Sequence, residues 1–342
     1  MKILYMSCHI VLEYDELRIL NDLGYDVTSI GGYINPKSPH VDTRPPLQID
    51  TNKDREQKIH NLFETNRKTG IPLEKCSYTL TKEIVDDYDI IYIMHNLEWL
   101  DINWEIIKNK IVVLRTFLNL GDTELRIQNY IKKGLKVLRC SPMEREIENY
   151  AGEHGIIRFL KYESDFKPRN ILHNKVITFG QSVKQRGSWC GAELIEGLSK
   201  ELPLTIFGPA NDEYKFWGGR LSYEDQLIQL ATNSCYFFTG TFPAQYTLSF
   251  VEALMTGIPI VSMGKNLSQS IVSKYPFEVP YMLDEIDGFY GDSLVDIKNK
   301  LQLLLDDRKL NEEMSIKEIS LGKKLFSAER NMYLWKDFFN SL

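Results

Sequence analysis

At 342 residues the chain is too long for one ordinary core and about right for two. It is 43% hydrophobic and 26% charged, which excludes a disordered polyelectrolyte and supplies apolar material for two packed cores. Its net charge of −6 argues against a surface built throughout to hold polyanions, though it leaves room for a local basic cleft.

The opening KILYMSC reads as a short apolar strand. Over Glu13–Leu23, apolar residues recur at near-helical spacing until Gly24, and YDVTSIGG then reads as a second strand. This is the βαβ start of a parallel sheet. The turn after the first strand is not GxGxxG, so no dinucleotide fingerprint is present. It carries Ser7, His9, Glu13 and Asp15 instead. His9 with Glu13 or Asp15 is a candidate general base with its orienting carboxylate. The plainer reading is two carboxylates favoured by a helix N-terminus beside a surface histidine.

Asn35–Asp50, NPKSPHVDTRPPLQID, reads as a long ordered loop, a length that is often functional, and Arg44 within it is a candidate ligand contact alongside His9 and Glu13. A polar helix is expected over Lys53–Arg67. The run YDIIYIMHN is a strand ending at His95, which stands where a strand end meets a ligand cleft. KIVVLRTF and LKVLRCS are further strands with a charged helix between them, and Met143–Tyr150 reads as helix. Tyr162–Asn174 is polar, contains Pro168 and reads as a linker.

Beyond it the βαβ rhythm restarts with KVITFGQS, a helix over Trp189–Leu202, LPLTIFGP, a helix near Glu224–Thr232, CYFFTG, and then YTLSFVEALMTGIPIVS. In that last run Ser249 and Glu252 fit a capping box, with Gly257 as C-cap and Pro259 beyond it. The same residues suit a nucleotide. Thr247, Leu248 and Ser249 would present amides and hydroxyls to a phosphate at the helix tip, and Glu252 would accept ribose hydroxyls one turn on. From Ile297 the tail reads as amphipathic helix ending ERNMYLWKDFFNSL.

Of the five cysteines, Cys8, Cys76, Cys140, Cys190 and Cys235, none has zinc-ligand spacing. Cys8, Cys140 and Cys235 fall in strand-like runs and are expected buried and reduced. The N-terminus turns acidic at Glu13, too soon for a secretory h-region. No run nears the roughly 18 apolar residues of a membrane span. A cytoplasmic protein is expected.

The second half, through FGQSVKQRG, LTIFGP, SYEDQLIQLATNSCYFF and SFVEALMTGIPIV, resembles the donor-binding half of glycosyltransferase family 4, over roughly residues 175–265. The resemblance implies an α/β GT-B fold with two doubly wound Rossmann-like domains facing across a cleft. It implies an acceptor domain at 1–165, a nucleotide-sugar domain at 172–325 and a C-terminal helix at 326–342 that returns to the first domain. Residue by residue, it places the ribose on Glu252, the diphosphate on Arg186 and the flanking glycines at Gly180 and Gly187. Gly208 falls near the base. The sequence departs from the pattern at Gln181, where an arginine is usual and for which Lys184 is the substitute. It departs again at Ala244, where a glutamate is usual, and at Leu118 and Asn119, near the usual histidine.

The implied activity is transfer of a sugar from a nucleotide diphosphate sugar, UDP- or GDP-linked, to an acceptor hydroxyl. It would be retaining, with no metal and no resident cofactor. LEYDELRILNDLGYDV and YTLSFVEAL also resemble phage- or virus-encoded glycosyltransferases, some of which glycosylate hydroxymethylated DNA bases; such a protein would work in the host cytoplasm. The acceptor therefore stays open between a glycan, a small molecule and a modified DNA base. Gln181 and Ala244 also leave open a sugar-nucleotide-binding protein with little transfer.

Overall fold

Two separate parallel sheets organise the chain, and the computed structural model describes residues 1–31, 44, 45, 47, 52–68 and 79–342. Most of the expected Pro-rich loop at 35–50, including Lys37, lies outside the described residues, as does Cys76. The chain divides into two compact units. The first comprises 1–158 with 332–342, and the second 159–331.

The first sheet is built from β1 (Lys2–Met6), β2 (Asp26–Ile30), β3 (Ile90–Met94), β4 (Ile111–Arg115), β5 (Lys136–Arg139) and β6 (Gly155–Ile156), in spatial order β2-β1-β3-β4-β5-β6. Every pairing is parallel; Ile3 stands opposite both Val27 and Ile90. All five residues of β3 are buried, as expected of a parallel strand covered on both faces. Leu4, Met6, Ile91, Ile93, Trp99 and Leu114 form one continuous core with helical side chains. Each such side chain contributes about 1.5–3 kcal/mol by leaving water.

The last helix, Tyr333–Asn340, belongs to this unit. Trp335 is fully buried beside Tyr92, at 6.0 Å between ring centroids, and Phe339 meets Tyr25 at 5.1 Å.

The second sheet contains β7 (His173–Phe179), β8 (Leu204–Phe207), β9 (Asn233–Phe238), β10 (Ile260–Met263) and β11 (Phe289–Gly291), in the order β11-β10-β9-β7-β8, again all parallel. In each unit the first strand lies inside its sheet. The order therefore reverses between β1 and β3 and between β7 and β9, and ligands of such sheets bind where the order reverses, beyond the strands' carboxyl ends.

Three local expectations need correction. Only Pro142–Glu146 of the expected 143–150 helix is helical, as a 3-10 turn closed by a capping box between Ser141 and Glu144. Cys8 is exposed because β1 ends at Met6, two residues before it; Cys140 and Cys235 are buried. The box expected between Ser249 and Glu252 does not form, because the helix starts earlier. It spans Leu248–Thr256 with Thr247 at the cap position and no side-chain cap hydrogen bond. Gly257 does end it, at φ +81°, a left-handed conformation that suits glycine.

Candidate active site

In the second unit the chain leaving β7 passes through Gly180 and Gln181 into the short helix Val183–Arg186. This loop lies so close to the one after β8 that a Cβ on Gly208 would sit 2.0 Å from the Gly180 carbonyl oxygen; Gly208 also has φ +123°. Buried Asn211 fixes the arrangement. Its amide donates to the Gly180 carbonyl at 2.7 Å and its oxygen accepts from the Val183 N–H at 2.8 Å. Gly180 and Gly208, two of the three glycine positions picked out in the sequence, are thus where two loops touch; Gly187, at φ +55°, has open space around it.

Gln181 is exposed and Lys184 projects outward, its Nζ 6.0 Å from the Tyr214 ring centroid. Arg186 is half-buried, and its guanidinium makes no ion pair or hydrogen bond among the described residues. Its charge still acts locally: burial pushes the Cys190 thiol up, and Arg186 pulls it partly back. The Cys190 sulfur lies 4.0 Å from Thr241 Oγ1, so Arg186 neighbours the loop after β9. That loop carries Ala244, which is buried and hydrogen-bonded through its N–H to the Thr241 carbonyl at 2.7 Å.

The same loop leads into the helix Leu248–Thr256. Thr247, Leu248 and Ser249 are half-buried at its start. The Thr247 and Ser249 hydroxyls are 2.8 Å apart, and the Tyr236 hydroxyl donates to Ser249 at 3.1 Å. Uncapped amides at a helix start, with hydroxyls beside them, form an anion-binding end.

Glu252 is 1% exposed, because Phe250–Thr256 is buried all round. Its carboxylate pairs with the fully buried Lys161, Nζ to Oε1 at 3.1 Å, and accepts from the Gln226 amide on Oε2. Neither partner was legible locally. Lys161 lies 91 residues away, directly behind the run IIRFL, and Gln226 is one of two glutamines on a surface helix.

In the first unit, His9 caps the helix Ile10–Asp22, its Nδ1 accepting from the Leu12 N–H at 3.4 Å. Glu13 and Asp15 are buried, not surface carboxylates, and Glu13 accepts from the Ser29 hydroxyl at 2.6 Å. Arg44 is half-buried. His95 follows β3 with φ +64°, rare for a residue with a side chain, and stacks on Phe117 at 4.2 Å. His9 meets the same Phe117 edge-on at 5.7 Å, so both histidines stand at the point where the first sheet reverses. Burial holds the His95 imidazole down at about 4, and its Nδ1 is buried without a hydrogen-bond partner.

The sequence gives no match to any family model and none to a curated protein. The solved structures are more telling. The chain is similar over 100% of its length, and 100% of the other's, to Anabaena HepE in complex with UDP-glucose, at TM-score 0.68 and 14% identity. Sucrose-phosphate synthase from Thermosynechococcus elongatus matches at TM-score 0.66 and 12% identity, covering 99% of this chain and 98% of that one. An alpha-glucosyltransferase in complex with UDP matches at TM-score 0.61 and 10% identity with the same coverage. The fold is that of the GT-B glycosyltransferases, in agreement with the two parallel α/β sheets.

Proposed function

We propose that the protein is a glycosyltransferase that moves a sugar from a nucleotide diphosphate sugar, UDP-linked as in the complexes named above, to an acceptor hydroxyl. The observation that carries this reading is the reversal point of the second sheet. There, an unpaired, half-buried Arg186 and the uncapped start of the helix Leu248–Thr256 are offered at the ends of neighbouring strands. A dianionic leaving group is what such a place accommodates.

In the proposed reaction the bond from the anomeric carbon to the diphosphate oxygen breaks, and that oxygen keeps the electron pair. The acceptor oxygen bonds to the same carbon from the same face, and its proton passes to the departing phosphate, giving retention. Arg186, with Lys184 in support, and the Thr247–Ser249 amides and hydroxyls stabilise the charge that develops. One such donor is worth about 3 kcal/mol in the transition state. These cationic groups take the part that a divalent metal plays elsewhere. Gly180, Gln181 and Gly208 border the donor, and Glu252 holds the ribose. The acceptor belongs to the first unit, where His9, His95, Glu13, Asp15 and Arg44 lie.

Calorimetric titration with UDP, GDP and ADP tests the reading directly. Saturable binding of one of them, lost or much weakened in Arg186→Ala without loss of folded structure, is expected. Absence of binding by all three removes the transferase assignment.

A further inference from the structure

The ribose carboxylate assigned above is already occupied, and two of its partners, Lys161 and Gln226, differ in how easily they can leave. Lys161 is fully buried and held by its own backbone. Its N–H donates to the Phe326 carbonyl at 2.7 Å, and its carbonyl accepts from the Ala328 N–H at 2.8 Å. The segment is tied further at Phe159, whose N–H donates to the Tyr246 hydroxyl at 3.2 Å, one residue before the helix cap. Removing the ammonium would strand a carboxylate that is 1% exposed, so Lys161 is a permanent counter-ion.

Gln226 is different. It sits on the helix Tyr223–Thr232 and is only half-buried, so of the two partners it alone reaches solvent. Its amide N–H to Glu252 Oε2 is the side chain's one hydrogen bond among the described residues. It is neutral, and a rotation of its own side chain would release it.

We propose that the Gln226 amide is a stand-in for a pentose hydroxyl, occupying Glu252 Oε2 until the ribose of the donor displaces it, while Lys161 stays in place. An amide N–H and a sugar O–H make the same demand on a carboxylate oxygen, a single donated hydrogen bond. The side chain thus competes with the donor for one acceptor site and makes the empty site weaker toward nucleotide than its residues allow. Gln226 is a positioning residue in this account, acting through Glu252. The inference rests on the reading of Glu252 as the ribose ligand.

The test uses the full chain and whichever of UDP, GDP and ADP binds tightest, together with its 2′,3′-dideoxy analogue. Gln226→Ala is expected to tighten the ribonucleotide about three- to tenfold, the equivalent of one competing hydrogen bond, and to leave the dideoxy analogue unchanged. In a Glu252→Gln background the same substitution is expected to change neither affinity. An unchanged or weakened ribonucleotide affinity in Gln226→Ala overturns the inference, as does an equal gain for both ligands; both leave the nucleotide site standing. If none of the three nucleotides binds the unsubstituted protein, the inference falls together with the proposed function.

Discussion

Arg115 and Arg139 end adjacent strands of the first sheet, and both are fully enclosed. Arg115 donates to Glu16 at 3.2 Å and to the Arg139 and Arg158 carbonyls, while Tyr5 and Tyr92 donate their hydroxyls to the same Glu16. Arg139 forks onto Glu124 at 2.7 and 2.8 Å, reaches Glu144 at 3.3 Å and also donates to the Gly152 carbonyl. In the second unit, Arg186 lies in the loop after β7 and meets no carboxylate at all among the described residues. The contrast separates two uses of a guanidinium. Where every donor is spoken for by protein, the charge holds an architecture together; where none is, the charge is available to a ligand.

The sharpest way to break that contrast is to remove each cation. Arg139→Met leaves Glu124 and Glu144 buried without it and is expected to cost about 3–5 kcal/mol of stability, read from denaturant unfolding. Arg186→Met should stay within about 0.5 kcal/mol of the parent. Comparable losses from both would erase the distinction. In turnover the order inverts, and Arg186→Ala is expected to slow transfer about 100-fold at saturating donor, or about 3 kcal/mol. A near-normal rate would mean that the free cation serves no leaving group.

A third effect is set by pH. The folded value of His95 is about 4 against 6.5 for the free imidazole, so the unfolded chain binds the extra proton between those limits. This contribution is intact above pH 6.5 and is lost as pH falls, amounting to about 2 kcal/mol at pH 5. His95→Phe should flatten that part of the stability profile, and an unchanged profile would show that the imidazole is solvated. Smallest is Ser249→Ala, expected to weaken the nucleotide about fivefold, near 1 kcal/mol, through loss of one hydroxyl. A shift in melting temperature with unaltered binding would assign that hydroxyl to its protein partners, Tyr236 and Thr247.

What could be read without coordinates follows the same division. The strand and helix rhythm of both sheets was legible, because apolar periodicity is a local property and a parallel strand is apolar on both faces. Gly257 was legible as a C-cap because positive φ at a helix end favours glycine, whereas Gly208 was picked out by the resemblance alone. The buried charges were not. Arg115 and Arg139 each close an apolar run, LR-Thr and LR-Cys, and that recurrence was the available signal. Their partners, however, lie as much as 99 residues away, and no spacing rule spans that distance. Lys161 was hidden similarly, one residue before the stretch 162–174 whose polar composition suggested a loose connection. The capping box failed for a narrower reason. Two hydroxyls, on Thr247 and Ser249, were equally good caps on paper, and the helix begins at the earlier one.

Residues 332–342 complete the unit that begins at Met1, with Trp335 and Phe339 set against Tyr92 and Tyr25. During synthesis, therefore, residues 1–158 must wait for 332–342, made after the whole of 159–331, before their aromatic cluster is sealed, while the second unit is one continuous stretch. Order of translation and order of consolidation are opposed in this chain, and a released chain truncated near 331 is expected to hold its second sheet firmly and its first one ajar.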